Sequence, residues 1–247
     1  MIEIRGLKKT FNSHPVLKGV DITFPTGKTT VVMGRSGCGK SVLLKTILRL
    51  FPLDGGRIII DNTDTTSYDE KDMASVRKRI GMLFQGSALF DSYNVEENVA
   101  YPLLENSKLP TTAISERVQE VLNFVGLRGE EKKYPAELSG GMKKRVALAR
   151  AIVAQPDYIF FDEPTTGLDP ITAQRINELI IKTRKELGTT IVIVTHDLVS
   201  AFMVSEIFAF IHQGEIIFYG SAEEFKSAQH KAIIEFLREG TWGTSFS

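Results

Sequence analysis

The sequence predicts an α/β fold: a parallel sheet with a helical segment inserted. Three observations carry that expectation. In KTTVVMGRSGCGKSVLLKTILRL (28–50) an apolar strand, a glycine loop and a helix follow one another. The apolar runs YIFFDE and TTIVIVTH flank the helical stretch PITAQRINELIIKTRKELG, and strand, helix, strand in that order implies parallel pairing. From about 86 to 155 strong strand signals are missing and helical periodicity takes over.

Along the chain, MIEIRGL, VDITFP and RIIIDN alternate as strands do. The helix after the glycine loop is expected to turn Val42, Leu43, Ile47 and Leu50 inward. Pro52 and the Asp54-Gly55-Gly56 turn close that piece. RIGMLFQ is a further strand ending at Gln85. TAISERVQEVLNFVGL and GGMKKRVALARAIVAQ are the clearest helices of the inserted segment. The helix after Pro170 stops at Gly188. In the tail, Phe225, Ile233, Ile234, Phe236 and Leu237 form the apolar side of an amphipathic helix packed on the core. Trp242 and Phe246 follow, either docked on a second subunit or part of a frayed end.

The 247 residues are enough for one large domain. Thirty acidic and thirty basic residues balance, which excludes the basic footprint of a nucleic-acid binder. The runs Arg77-Lys78-Arg79 and Lys143-Lys144-Arg145 are therefore expected on solvated helix faces. Cys38 is the single cysteine, so no intrachain disulfide can form. The opening MIEIRGLKKTF has no apolar segment of the signal-peptide kind, and no apolar run approaches the roughly 18 residues of a membrane span.

Gly34, Arg35, Ser36, Gly37, Cys38, Gly39, Lys40 and Ser41 match G-x-x-x-x-G-K-[ST] between a strand and a helix. Glycines there let backbone N–H groups converge on phosphate oxygens, and the helix dipole adds to the field. Lys40 is placed to reach the β- and γ-phosphates and Ser41 to ligate Mg²⁺. Asp162 and Glu163 end a strand, where such folds bind ligands. The first suits a metal shell and the second a general base; alternatively the pair caps the following helix. Gln85 and His196 also close strands, where either residue can simply satisfy the backbone. Ser139, Gly140 and Gly141 begin an amphipathic helix and form a second potential anion site.

The order of these pieces resembles the ABC-type ATPases: GRSGCGKS at 34–41, Gln85, LSGGM at 138–142, FFDEP at 160–164, GLD at 167–169 and His196. The resemblance covers nearly the whole chain except about the last twenty residues. It implies a P-loop NTPase (RecA-like) core with an N-terminal antiparallel β subdomain and an inserted α-helical subdomain. Residues 1–247 are then one domain, with 1–85 and 156–220 as nucleotide-binding core, 86–155 as helical subdomain and 221–247 as C-terminal helix and tail.

Its implied substrate and cofactor are ATP and Mg²⁺. Ser41, Gln85 and Asp162 are the implied metal ligands; Gln85 is also implied in catalysis and in contact with the membrane partner, with Glu163 the catalytic base and His196 the catalytic γ-phosphate contact. Asp169 is implied at a dimer interface. Phe11 matches the aromatic that stacks on adenine, although a ring there can also be core. Two copies would pack head to tail, the Ser139-Gly140-Gly141 cradle of one closing on ATP held by the other. Three positions depart from the usual pattern: Met142 for glutamine, Val42 for a hydroxyl residue and Phe11 for tyrosine.

VRKRIGMLFQGSALFDSYNVEENVAYPLLE, ELSGGM, DPITA and FLREG resemble the Mla-type, MCE-associated subgroup. That likeness implies phospholipid transport between bacterial envelope membranes, with an integral-membrane permease dimer and an MCE lipid-binding partner. The ATPase would sit peripherally on the cytoplasmic face of the inner membrane. A polar-solute importer and a non-transport ABC ATPase are the competing classes. The last usually has two ATPase units or a long coiled-coil insertion, and neither is present. Leu89, Phe90 and Tyr93 supply apolar anchors for a permease helix or belong to the core of the insertion.

Overall fold

The computed structural model describes residues 1–240; Trp242 and Phe246 lie outside them. Two compact units emerge. One comprises Met1–Ala74 with the described chain from Thr190 onward, and the other is Ser75–Thr189.

In the first unit β1 (Ile2–Phe11) buries Ile2 and Ile4, slips register at a bulge around Gly6, and then buries Leu7 and Lys9. The extra residue preserves the inward face across an irregular pairing. A two-residue turn, Asn12-Ser13, with φ of 47° and 63°, joins β1 to the antiparallel β2 (His14–Phe24). Positive φ at both positions matches strand twist in tight hairpins. β3 (Thr29–Met33) is buried at every residue and leads through the glycine loop into α1 (Lys40–Ile47). β4 (Gly55–Ile60) pairs antiparallel with β1, and β5 (Thr63–Asp64) with β4, giving the order β2-β1-β4-β5. The expected N-terminal antiparallel sheet is present. The inner face of α1 differs from expectation: Leu43, Leu44, Ile47 and Leu48 are buried, Val42 is half-buried and Leu50 is 48% exposed. The helix ends at Ile47, and Arg49 takes left-handed backbone (φ 57°), so the helical period never reaches Leu50.

α2 (Glu70–Arg77) carries the chain into the second unit. There β6 (Ile80–Leu83) runs parallel to β7 (Tyr158–Asp162), with Ile80 opposite Tyr158 and Leu83 opposite Phe161. Between them lie α3 (Val95–Asn106), α4 (Thr111–Phe124) and α5 (Gly140–Ile152). The sequence reading did not single out α3. Its start was nonetheless written as a capping box, in which Asn94 accepts from Glu97 N and Glu97 accepts from Asn94 N. α6 (Pro170–Leu187) begins with proline in its first turn and ends at Gly188 in left-handed backbone.

α5 packs on β6, α3, α4 and α6, and every residue from Val146 to Ala149 is buried. A helix covered on so many sides does not carry Lys143-Lys144-Arg145 on a solvated face, which corrects the expectation for that run, whereas Lys78 and Arg79 of the other run are exposed just past α2. Lys144 is only 4% exposed, and the Arg145 guanidinium lies against the Gly126 carbonyl at 2.9 Å.

The chain returns to the first unit with β8 (Thr190–Thr195), α7 (Leu198–Val204), β9 (Ile207–His212) and β10 (Glu215–Gly220). β3 lies between β8 and β9, parallel to both, and β10 is antiparallel to β9. The apolar tail residues form two helices, α8 (Ala222–Lys226) and α9 (Lys231–Gly240), rather than one. Phe225 stacks at 5.3 Å on Phe208, and Phe236 meets Phe210 edge-on at 5.0 Å, so both helices are fixed to β9.

Helix and strand approach closely in the second unit at Gly81 of β6. A Cβ there would stand 2.3 Å from the Ala151 carbonyl oxygen of α5. Because that obstacle is backbone, Gly81→Ala is expected to cost about 1–3 kcal/mol as strand and helix move apart. Chemical denaturation of the variant against the parent measures it, and an unchanged midpoint would contradict this packing.

Candidate functional site

The glycine loop of the first unit spans Gly34 to Gly39 between β3 and α1. Its walls are close. A Cβ on Gly34 would meet the Ile211 carbonyl at 2.5 Å, and one on Gly39 would touch Leu17 at 3.0 Å. Gly39 is also the N-cap of α1, at φ 109°, a conformation that side chains resist. Lys40 is buried, and its Nζ reaches back to the Gly34 and Arg35 carbonyls at 2.8 and 3.2 Å. A cation is thus held inside a loop of exposed Arg35, Ser36 and Gly37, an arrangement able to take an anion. Cys38 is half-buried, Ser41 and Val42 lie in the first turn of α1, and Arg35 pairs with Glu239 of α9 at 2.5 Å.

Phe11 ends β1 at the Asn12-Ser13 turn. Phe51 meets it edge-on at 5.1 Å, and the Lys9 ammonium lies 5.1 Å from its ring centroid. Lys9 pairs with Asp54 at 3.0 Å. The hydrogen bond from Lys9, and then the Thr10 N–H, hold the Asp54 carboxyl below its ordinary value. Phe11 is half-buried. The sequence reading did not find the Lys9–Asp54 support, because the two partners are 45 residues apart. His196 follows β8 directly and is exposed; Asp197 beside it caps α7 by accepting from Val199 N.

In the second unit Asp162 ends β7 and is buried. Glu163 is the first residue past the strand, in left-handed backbone at φ 50°. Such a conformation at a non-glycine residue is strained and concentrates at functional sites. Thr166 Oγ1 donates to Glu163 Oε2 at 3.1 Å and orients the carboxylate. Gln85 is exposed two residues beyond β6. Lys144 joins these segments: its Nζ donates to the Gln85 carbonyl at 2.5 Å and to the Glu163 carbonyl at 3.3 Å. Burial pushes its pKa down, opposed by the Asp162 and Glu163 carboxylates. Sequence reasoning missed Thr166 and Lys144. For Lys144 a signal existed, since Gly141, Lys144, Leu148 and Ala151 recur at helical spacing on one buried face. Ser41 in the first unit, and Gln85 and Asp162 in the second, each offer an oxygen donor of the kind a hard cation such as Mg²⁺ takes.

Ser139 caps α5, accepting from Met142 N at 3.3 Å, and both Ser139 and Gly140 are exposed. Behind them Gly141 is buried with no room for a methyl, because its Cβ would lie 2.4 Å from Thr172 Cγ2. Asp169 caps α6, accepting from Thr172 N at 3.0 Å. The Ser139 cradle and the Asp169 cap thus lie on adjoining helix starts.

A separate concavity of about 290 Å³ is lined by Met82, Phe84, Phe90, Tyr101, Pro102 and Arg150 among others. Phe90 and Tyr93 are 40% and 38% exposed, so they are not core. Buried Asn98 fixes their backbone, accepting from Phe90 N and donating to the Phe90, Tyr93 and Asn94 carbonyls.

The family described as ABC transporter matches residues 17–166. The chain is 39% identical over 236 residues to the probable ribonucleotide transport ATP-binding protein mkl of Mycobacterium tuberculosis, covering 96% of this chain but 66% of that protein. It is 38% identical over 237 residues to the intermembrane phospholipid transport system ATP-binding protein MlaF of Escherichia coli, covering 96% of this chain and 88% of MlaF. Among solved structures, the ATP-binding cassette MJ0796 in a dimeric post-hydrolysis state bound to ADP and Pi aligns with a TM-score of 0.83 and 31% identity. That alignment covers 90% of this chain and 98% of the other. CbiO1 from Clostridium perfringens aligns with a TM-score of 0.84 and 31% identity, covering 97% and 96%.

The Asp169 cap gives a pH dependence of known sign. Hydrogen bonds from the Thr172 side chain and N–H hold its carboxyl below the ordinary aspartate value. A depressed folded pKa adds stability above the unfolded value, lost as pH falls through the folded one. Asp169→Asn keeps a capping oxygen without the charge. Between pH 6 and pH 3 its melting midpoint is expected to fall less than the parent's, and parallel falls would argue against a charged cap.

Proposed function

The chain belongs to the ABC transporter family of ATP-binding proteins, and from that premise we propose that it hydrolyses ATP to power phospholipid transport between bacterial envelope membranes. The observation that carries the substrate is the likeness to MlaF, which extends over 88% of that protein's length. The ribonucleotide name of the mycobacterial relatives favours a polar solute instead. That match spans 66% of those proteins, so it carries less of their organisation.

Lys40 neutralises the β- and γ-phosphates, while the loop from Gly34 to Val42 wraps them. Ser41, Gln85 and Asp162 hold Mg²⁺, which when bound draws charge away from the phosphate oxygens. Glu163, its carboxylate steadied by Thr166, accepts the proton of the attacking water. His196 contacts the γ-phosphate, and Phe11, braced by Phe51 and Lys9, offers its ring to adenine. Ser139, Gly140, Gly141 and Asp169 serve a second copy packed head to tail, a reading supported by the dimeric cassette among the solved relatives.

No helix among the described residues is long and apolar enough to cross a membrane. We place the protein peripherally on the cytoplasmic face of the inner membrane, gripping a permease dimer that works with an MCE lipid-binding protein. The concavity around Phe90 supports the permease contact: a lining that mixes Met82, Phe84, Phe90 and Tyr101 with Arg77, Lys78 and Arg150 suits an amphipathic helix.

Glu163→Gln keeps the shape of the carboxylate but cannot accept a proton. It is expected to bind ATP with near-parental affinity, lower turnover by about 10²–10⁴-fold, and accumulate as a nucleotide-bound dimer on gel filtration. Turnover at the parental rate would refute the base assignment.

Phe90→Ala removes an exposed aromatic from the groove. Permease binding is expected to weaken about tenfold or more, with lipid transfer in reconstituted vesicles falling in step and ATP affinity unchanged. Intact lipid transfer would remove Phe90 from the coupling surface. Transfer of a polar solute but no lipid by the parental complex would select the importer reading.

A further inference from the structure

Lys144 is a buried cation that neither a phosphate contact nor a metal ligand explains. Its neighbours on the inner face of α5, Gly141, Leu148 and Ala151, are small or apolar, so packing alone would favour an apolar residue there. Its ammonium instead donates to two carbonyls far apart in sequence, those of Gln85 and Glu163, at 2.5 and 3.3 Å. Each belongs to a residue whose side chain is assigned to hydrolysis, and each lies just past the end of a strand; the Glu163 carbonyl also accepts from Thr166 N at 3.4 Å. Glu163 is further held in left-handed backbone. Ser139, which caps the same helix, is about 7–8 Å away along its axis at the rise of an α-helix.

We propose that Lys144 is a positioning residue for ATP hydrolysis: by clasping the Gln85 and Glu163 carbonyls it sets the backbone that aims both side chains. Through α5 the clasp also ties their placement to the Ser139 cradle. The inference rests on the ATPase reading above. Its signature is a loss of turnover without a loss of nucleotide binding, because the Lys144 ammonium is engaged by these two protein carbonyls.

The test uses the full-length chain with Mg-ATP and compares the parent with Lys144→Met, Lys144→Arg and Glu163→Gln. Lys144→Met keeps length without donors, whereas Lys144→Arg keeps donors. Lys144→Met is expected to lower kcat at least tenfold with KM for ATP within twofold and a cooperative melt, and Lys144→Arg to recover part of kcat. Should the methionine variant fail to fold, Lys144→Gln is read by the same criteria. A kcat within twofold of the parent in the methionine or glutamine variant overturns the proposal. So does a loss that arginine does not relieve and that follows the melting midpoint. Glu163→Gln separates the two readings. Its inactivity beside a fully active Lys144→Met sinks only the clasp, whereas parental turnover by Glu163→Gln sinks the assignment of the base.

Discussion

The second unit is organised by the burial of α5. This helix has strand β6 on one side and α3, α4 and α6 on others, so its surface must be small where backbone approaches and satisfied wherever it is charged. Gly81 meets the Ala151 carbonyl, and Gly141 meets Thr172, at distances that exclude a methyl group. The helix nevertheless carries four cations, and three of them reach carbonyls beyond it: Lys144 at Gln85 and Glu163, Arg145 at Gly126, and Arg150 at Ser87. Leaving such a group buried without a partner costs several kcal/mol, so these pairings are conditions of the packing.

The same requirement links packing to chemistry. The carbonyls that satisfy Lys144 and Arg150 belong to the segments following β6 and β7, from which the candidate metal ligand, the candidate base and the aromatic groove all project. Ser87 and Ala88 both take left-handed backbone (φ 64° and 47°), so this segment turns sharply between Gln85 and Phe90. One helix thus begins at the Ser139 cradle and along its length secures the residues proposed for hydrolysis and for the permease.

The first unit solves a different problem, presenting a loop of exposed polar backbone without losing its shape. Strand β3, buried throughout and flanked by β8 and β9, fixes one end of the loop, and the buried start of α1 fixes the other. Lys40 folded onto the loop's own carbonyls supplies an internal partner for its cation. The pair of Arg35 with Glu239 adds a tether to α9, though between exposed groups such a pair adds little stability.

Much of this was legible in the sequence because its signals are local. Strand alternation, the glycine loop before Lys40, the Pro170 start and Gly188 stop of α6, and the cap at Ser139 each depend on a few consecutive residues, so the elements and the candidate site residues could be read directly. Only tertiary structure decided what depends on distant partners. Leu50 faces out because the chain reverses at Arg49, and the apolar tail breaks into two helices seated on β9. Lys144 is buried because three helices and a strand enclose α5, and the carbonyls that accept its protons lie 59 and 19 residues away. Periodicity shows which residues share a helix face, but the number of faces that become covered is set by all the elements packing against it.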